Sequence, residues 1–355
     1  MSEVEWNLDD IVTPLLVWYR KSARKLPWRE TKNPYAIWIS EIMLQQTRVE
    51  TVIGYYERFL KTLPSVEALA GADEEVLLKL WEGLGYYSRV RNMQVAAREI
   101  LNRFEGNFPS SYQELLSLRG IGPYTAGAIA SIAFSLPHAA VDGNVLRVMS
   151  RLSRDGRDIM LQTTKQDWQH RLAEILPEDS GTFNQALMEL GACICVPNGA
   201  PRCMQCPLRE KCQAYRYHVI VHYPVKSQKK IRKVENINVF FMIKKGEVAL
   251  RKRPDRGLLS SLWELPNSEG GNDVLEVLQA WGITEAEIIE MKSQKHIFTH
   301  IEWRMSPYFI WVKNGENSQF NWVSLEDMRE NYALPTAFRK ICAEGLKYME
   351  ETNEL

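Results

Sequence analysis

No run of apolar residues in this 355-residue sequence approaches the roughly 20 that a membrane-spanning helix needs. The opening Met1-Ser2-Glu3-Val4-Glu5 is acidic where a secretory leader would be basic and then apolar. Together these absences predict a cytosolic protein with no membrane role. There is no excess of charge either: 44 Lys and Arg balance 44 Asp and Glu, so the bulk composition lacks the basic footprint that nucleic-acid binders usually leave. Internal repeats and low-complexity tracts are missing, and 20 Gly with 16 Pro are ordinary counts, which excludes solenoid, collagen-like and disordered classes. Cysteine is sparse, at six. What remains is a globular composition, 45% hydrophobic and 25% charged, on a chain too long for one typical core of roughly 100–200 residues.

The chain changes character near residue 218. Before it, apolar residues recur at helical spacing, as in Leu8, Ile11, Val12, Leu15, Leu16 and Tyr19. Asn33-Pro34 predicts a helix start running through Leu60, Ser111 with Glu114 a capping box, and Thr164 with Asp167 a weaker start. After it, Ile237, Val239 and Phe241 alternate, and Lys244-Lys245-Gly246-Glu247 predicts a hairpin turn into Val248-Ala249-Leu250. Tyr308–Val312 and Phe320–Val323 continue the strands, while Asp273–Trp281 and Leu334–Met349 read as helices. A basic run, Lys226, Lys229, Lys230, Arg232 and Lys233, marks the join. The expected fold is multidomain: an all-helical unit followed by a smaller α+β unit.

Three constellations carry chemistry. Leu118-Arg119-Gly120-Ile121-Gly122-Pro123-Tyr124 reads as a helix-hairpin-helix turn whose Gly120, Ile121 and Gly122 amides face a DNA phosphate. Beyond a helix of small residues, Val141-Asp142-Gly143-Asn144 places a carboxylate at a helix start, where backbone amides and the helix dipole are expected to keep it ionised. Glu41 lies instead in an apolar stretch, Ile37–Leu44, where desolvation should raise its pKa and keep a proton available. Taken singly, Asp142 reads as an ordinary N-cap and Glu41 as a partnered helix carboxylate; the pair of opposed environments is what suggests acid and cation stabiliser. Cys195, Cys203, Cys206 and Cys212 follow the spacing C-x7-C-x2-C-x5-C, which in a reducing compartment suggests a metal site, an iron–sulfur cluster ahead of zinc, with reduced structural thiols as the remaining alternative.

On these motifs, together with Leu26-Pro27-Trp28-Arg29 and Ser40–Thr47, residues 5–218 resemble the helix-hairpin-helix DNA glycosylases that carry a [4Fe–4S] cluster. The whole chain is similar to the MutY-type adenine DNA glycosylases. The resemblance implies residues 1–218 as a glycosylase domain, with about 29–135 as a six-helix module and the N-terminal helix plus about 136–218 as a cluster module. It further implies a linker at 219–234 and, at 235–355, a Nudix-like domain that senses 8-oxoguanine. The implied reaction is hydrolytic removal of adenine paired with 8-oxoguanine or guanine in double-stranded DNA. In it Glu41 protonates adenine N7, Asp142 stabilises the sugar cation or a transient adduct, Tyr124 assists and Asn144 orients. Arg24, Trp28, Leu44 and Gln185 would line the adenine pocket with Arg29 nearby. Gln46 and Tyr86 would be wedges, with Tyr87 able to share that role, and Phe298, Thr299 and His300 would read 8-oxoguanine. The four cysteines would hold the cluster, although the family usually has six residues where Cys195 and Cys203 enclose seven. Cys193 is the weaker candidate ligand.

Other readings meet specific residues. A lyase for oxidised pyrimidines would need a Lys where Tyr124 stands, so little strand cleavage is expected. A Nudix pyrophosphatase would need the acidic box that is missing after Gly257. A damage-binding protein with an idle site would have lost Glu41 or Asp142. A monomer is expected, with a sliding clamp or mismatch-repair protein as candidate partners.

Overall fold

The computed structural model describes residues 7–227, 231–315 and 318–351, arranged as two compact units. The first comprises Met1–Gly71 and Arg91–Gln228, the second Ala72–Val90 and Lys229–Leu355. The sequence expectation of one unit after the other is thus altered by the Ala72–Val90 segment. The expected linker also begins later. Residues 220–222 form a 3-10 turn, Ile159 N donates to Val225 O at 3.1 Å, and Ser227 N to Asp158 Oδ2 at 3.0 Å. These bonds anchor the chain as far as Ser227 to the first unit. Lys229 and Lys230 of the basic run, and the acidic start, lie outside the described residues.

The helices in chain order are α1 (Val12–Ser22), α2 (Pro34–Leu44), α3 (Val49–Thr62), α4 (Val66–Gly71), α5 (Glu74–Leu80), α6 (Ser88–Phe104), α7 (Tyr112–Ser117) and α8 (Pro123–Phe134). There follow α9 (Gly143–Ser153), α10 (Gln162–Glu174), α11 (Ser180–Cys193), α12 (Gln213–Arg216), α13 (Val274–Ala280), α14 (Leu325–Glu330) and α15 (Arg339–Glu351). Asn33 caps α2 through its side chain, with Pro34 as the first helical residue. That helix stops at Leu44 rather than continuing to Leu60, because Gln45 is extended and Gln46 turns left-handed at φ 61°. The capping box forms: Ser111 Oγ accepts from Glu114 N at 3.3 Å and donates to Glu114 Oε2 at 2.7 Å. Thr164 caps nothing; it is buried inside α10, which begins at Gln162. One core of the first unit gathers Ile11, Leu15 and Tyr19 around α9 and α11 through Val145, Met149, Phe183 and Leu187.

In the second unit, β1 (Lys233–Lys244) turns at Lys245-Gly246, both at positive φ, into β2 (Glu247–Lys252), as a two-residue hairpin requires. The remaining strands are β3 (Trp263–Glu264), β4 (Asn267–Glu269), β5 (Ile283–Glu290), β6 (Gln294–Ile297), β7 (Ile301–Gly315) and β8 (Asn321–Val323). The main path runs β3-β2-β1-β7-β5, and among the described residues only β1 and β7 pair in parallel. Both faces of β1 are covered, which explains the unbroken burial of Val239–Ile243. Val239, Phe241 and Ile243 pack with Phe338 and with Ile341 of α15, whereas Phe240 and Met242 pack with Leu278 of α13. The last helix starts at Arg339, later than the expected Leu334, after Pro335 and a 3-10 turn at Thr336–Phe338. No described helix is long and apolar enough to cross a membrane.

Candidate active site

Helices α2, α8, α9 and α11 of the first unit bring the predicted acid and cation stabiliser together. Glu41, 5% exposed on α2, accepts a 2.5 Å hydrogen bond from Tyr124 Oη on α8, and that hydroxyl also lies 3.2 Å from Met188 Sδ on α11. Burial raises the Glu41 pKa from 4.5 to about 7; the Tyr124 hydrogen bond opposes the rise and the nearby Asp142 charge adds to it. Tyr124 is itself pushed well above the ordinary phenol value by burial, so it stays a donor.

Asp142 is the N-cap of α9. Its Oδ1 accepts from Val145 N at 2.8 Å and its Oδ2 from Asn144 Nδ2 at 2.7 Å. Backbone donors and the helix dipole were expected to keep Asp142 ionised; the donors are in place, but desolvation is the larger influence and its pKa is raised, the hydrogen bonds limiting the rise. Arg147 NH2 donates to Asn144 Oδ1 at 2.9 Å and to Gly191 O at 2.7 Å, while its Nε reaches Cys195 O at 2.7 Å. Gly191 has no room for a side chain, since a Cβ there would lie 2.6 Å from Asn144 Cβ.

The residues expected around the base divide. Arg24 and Arg29 converge on a carboxylate that sequence reasoning missed, Glu189, with N–O distances of 2.7 Å to its Oε2 from each guanidinium. Burial alone would raise the Glu189 pKa, but the two guanidinium hydrogen bonds hold it down at about 2. A signal was present: Gln185, Met188 and Glu189 stand at helical spacing on α11. Gln185 Oε1 accepts from Tyr19 Oη at 3.3 Å, and the Arg29 guanidinium lies 5.3 Å from the Tyr19 ring centroid. Trp28 is buried edge-on against Tyr56, centroids 5.4 Å apart, and Leu44 is half-buried at the end of α2.

Gln46 is exposed in the break after α2. Gly120 sits at φ 79°, and a Cβ there would meet Asn92 Cβ at 2.8 Å. The Ile121 amide donates to Leu118 O at 3.2 Å, so of the three amides expected to face phosphate those of Gly120 and Gly122 remain for that task. In the second unit Tyr86 is 49% exposed, whereas Tyr87 is buried, which removes it as a second wedge. Tyr86 Oη lies 3.1 Å from Thr299 Oγ1. Thr299 and His300 form the exposed tip between β6 and β7, while Phe298 is half-buried edge-on to Trp303 at 4.9 Å.

Cys195, Cys203, Cys206 and Cys212 line one cavity in the first unit, walled by Val148, Leu152, Leu190 and Leu208. Arg151 NH1 lies 3.3 Å from Cys195 Sγ. Burial pushes the Cys206 thiol up to about 12 and Cys212 to about 11. Cys193 is not among the lining residues and lies beside Glu189. Among the described residues no three Cys, His, Asp or Glu side chains are grouped so that they could hold one metal ion.

Residues 39–178 match the model of the HhH-GPD superfamily of base excision DNA repair proteins, and residues 238–344 that of the NUDIX domain. The chain is 35% identical to the adenine DNA glycosylase of Buchnera aphidicola subsp. Baizongia pistaciae, covering 94% of this chain and 96% of that one. It is 34% identical to the adenine DNA glycosylase of Homo sapiens, covering 92% of this chain and 72% of that one. Among solved structures, a thermostable thymine-DNA glycosylase superposes with a TM-score of 0.54 at 28% identity, covering 59% of this chain and 96% of that one. An endonuclease III trapped as a covalent intermediate with DNA gives 0.51 at 22% identity, covering 59% and 95%, a likeness of fold alone.

Proposed function

Because the chain belongs to the adenine DNA glycosylase family, we propose that it hydrolyses the N-glycosidic bond of adenine placed opposite 8-oxoguanine or guanine in duplex DNA, without cutting the strand. The observation that carries this reading is the Glu41–Tyr124 hydrogen bond beside Asp142: one carboxyl protonated near neutrality and a second held by amide donors. An adenine turned out of the helix would take the Glu41 proton at N7. The C1′–N9 bond then breaks with its electron pair passing to N9, so adenine leaves neutral. Asp142 faces the positive charge left on the sugar, held in place by Asn144 and Val145 N. Water adds at C1′ and returns a proton to the Glu41 carboxylate, with Tyr124 keeping that oxygen oriented. No amine stands at Tyr124, so no Schiff base forms through this position.

Arg24 and Arg29, fixed by Glu189, would shape the base pocket with Trp28, Leu44 and Gln185. Gln46 and Tyr86 would fill the vacated stack, Gly120 and Gly122 would hold phosphate, and Thr299 and His300 would meet the opposite base. The four cysteines would hold a [4Fe–4S] cluster. A single zinc ion needs its sulfurs about 2.3 Å away and thus close together, whereas thiols spread around one apolar-walled cavity suit a cage of several irons. Bound, the cluster supplies four iron–thiolate bonds that order the loop from Cys195 to Cys212.

The test is a single-turnover assay on a duplex labelled on the adenine strand opposite 8-oxoguanine, for wild type and Glu41→Gln. Strand breakage appearing only after alkali, and lost by a thousandfold or more in the variant, is expected. Breakage without alkali would overturn the hydrolytic reading, and tight binding without base release would overturn the enzymatic one.

A further inference from the structure

In the second unit, the groups that hold Tyr86 and Thr299 together extend well beyond those two side chains. Glu75 and Lys79 of α5 and Glu82 just after it stand at i, i+4 and i+7, on one helical face. Glu75 accepts from Trp263 Nε1 at 2.9 Å and from Lys252 Nζ at 2.5 Å. Lys79 Nζ donates to Tyr332 O at 3.0 Å, and Glu82 Oε1 accepts from Leu334 N at 2.8 Å. Tyr332 packs edge-on to Trp263, centroids 4.8 Å apart, so the three attachments end on one patch. The turn that follows is braced internally. Gly83, Gly85 and Tyr86 all have positive φ, Trp81 Nε1 donates to Gly85 O, and Arg89 NH2 reaches both Leu84 O and Gly85 O at 3.1 Å. At its tip Tyr86 meets Thr299.

We propose that Glu75 is a positioning residue for opposite-base selection: with Lys79 and Glu82 it fixes α5 so that Tyr86 and Thr299 are preset as one reading element before DNA arrives. The inference rests on the reading above, in which Tyr86 wedges the duplex and Thr299 meets the opposite base. The Lys252 ion pair is exposed and adds little. The bond to the buried Trp263 indole is charge-assisted and is the stronger attachment. Glu75→Gln keeps an oxygen for the indole, whereas Glu75→Ala removes it.

Two readouts on the full chain test this: amide hydrogen exchange over residues 72–90, and the ratio of single-turnover adenine release opposite 8-oxoguanine to that opposite guanine. For Glu75→Ala, exchange in the 81–90 turn should quicken at least tenfold and the ratio fall at least fivefold, the loss opposite 8-oxoguanine exceeding any loss opposite guanine. Glu75→Gln should stay near wild type in both. Unchanged exchange, or equal loss on both substrates, would overturn the proposal and leave Glu75 a plain structural contact. Should wild type release no adenine, the enzymatic reading fails separately. The same ratio, read then from binding to duplexes carrying an abasic-site analogue opposite 8-oxoguanine or guanine, still decides the role of Glu75.

Discussion

Glu41 must carry a proton at neutral pH, and the burial that arranges this opposes folding. Its pKa rises from 4.5 to about 7, so the folded chain binds that proton more tightly than the unfolded one. Below pH 4.5 both states are protonated and nothing is lost. Stability then falls as pH rises towards 7, and above that the penalty is constant, at most about 3 kcal/mol. Glu41→Gln is therefore expected to melt higher than wild type at pH 8 while the gain shrinks near pH 5, which thermal melts at the two pH values would check. The excision rate should in turn drop about tenfold per pH unit above 7, as the acid form is depleted. Glu41 and Asp142 stood out as candidates because each sits in a local pattern, an apolar stretch and a helix start, whereas Tyr124 was drawn in by the family resemblance. Glu189 shares a helical face with Gln185 and Met188, but its pairing with Arg24 and Arg29 was not legible, nor was the reach of Arg147 to Cys195 O and Gly191 O, since spacing within one segment does not mark a contact between distant ones.

At the scale of elements, close helix contacts set the site more than side-chain polarity does. Gly191 of α11 lets that helix approach the start of α9 so nearly that Gly191→Ala would press on Asn144. That substitution is expected to cost about 1–3 kcal/mol and to lower excision at least tenfold by displacing Asp142. Gly54→Ala, in open space on α3, should be neutral or raise stability by up to about 1 kcal/mol with excision unchanged. Melting curves and single-turnover rates on both variants check the pair. Helix existence was readable from apolar spacing and the Asn33 and Ser111 caps. The break at Gln45–Arg48 was not, because the left-handed turn at Gln46 is taken by a residue with no special preference for it.

Across the whole molecule, the units follow packing more than sequence order. The change from helical to alternating patterns located the sheet correctly, but nothing in the sequence marks Ala72–Val90 as part of the second unit. Polar contacts such as Glu75 to Trp263 join residues 188 apart. A chain ended at Gln228 should accordingly lose exchange protection across 72–90 while α9 and α11 keep theirs, a difference that hydrogen-exchange mass spectrometry would resolve.

The same separation has a meaning during synthesis. A ribosome adding roughly 5–20 residues per second needs about 10–40 s to pass from Glu75 to Trp263. For most of that interval α5 and its turn are already outside the exit tunnel while the surface that will receive them does not yet exist. The first unit must fold while a segment within its own span of sequence still waits for its partner, and slowing translation beyond Gln228 would lengthen that wait.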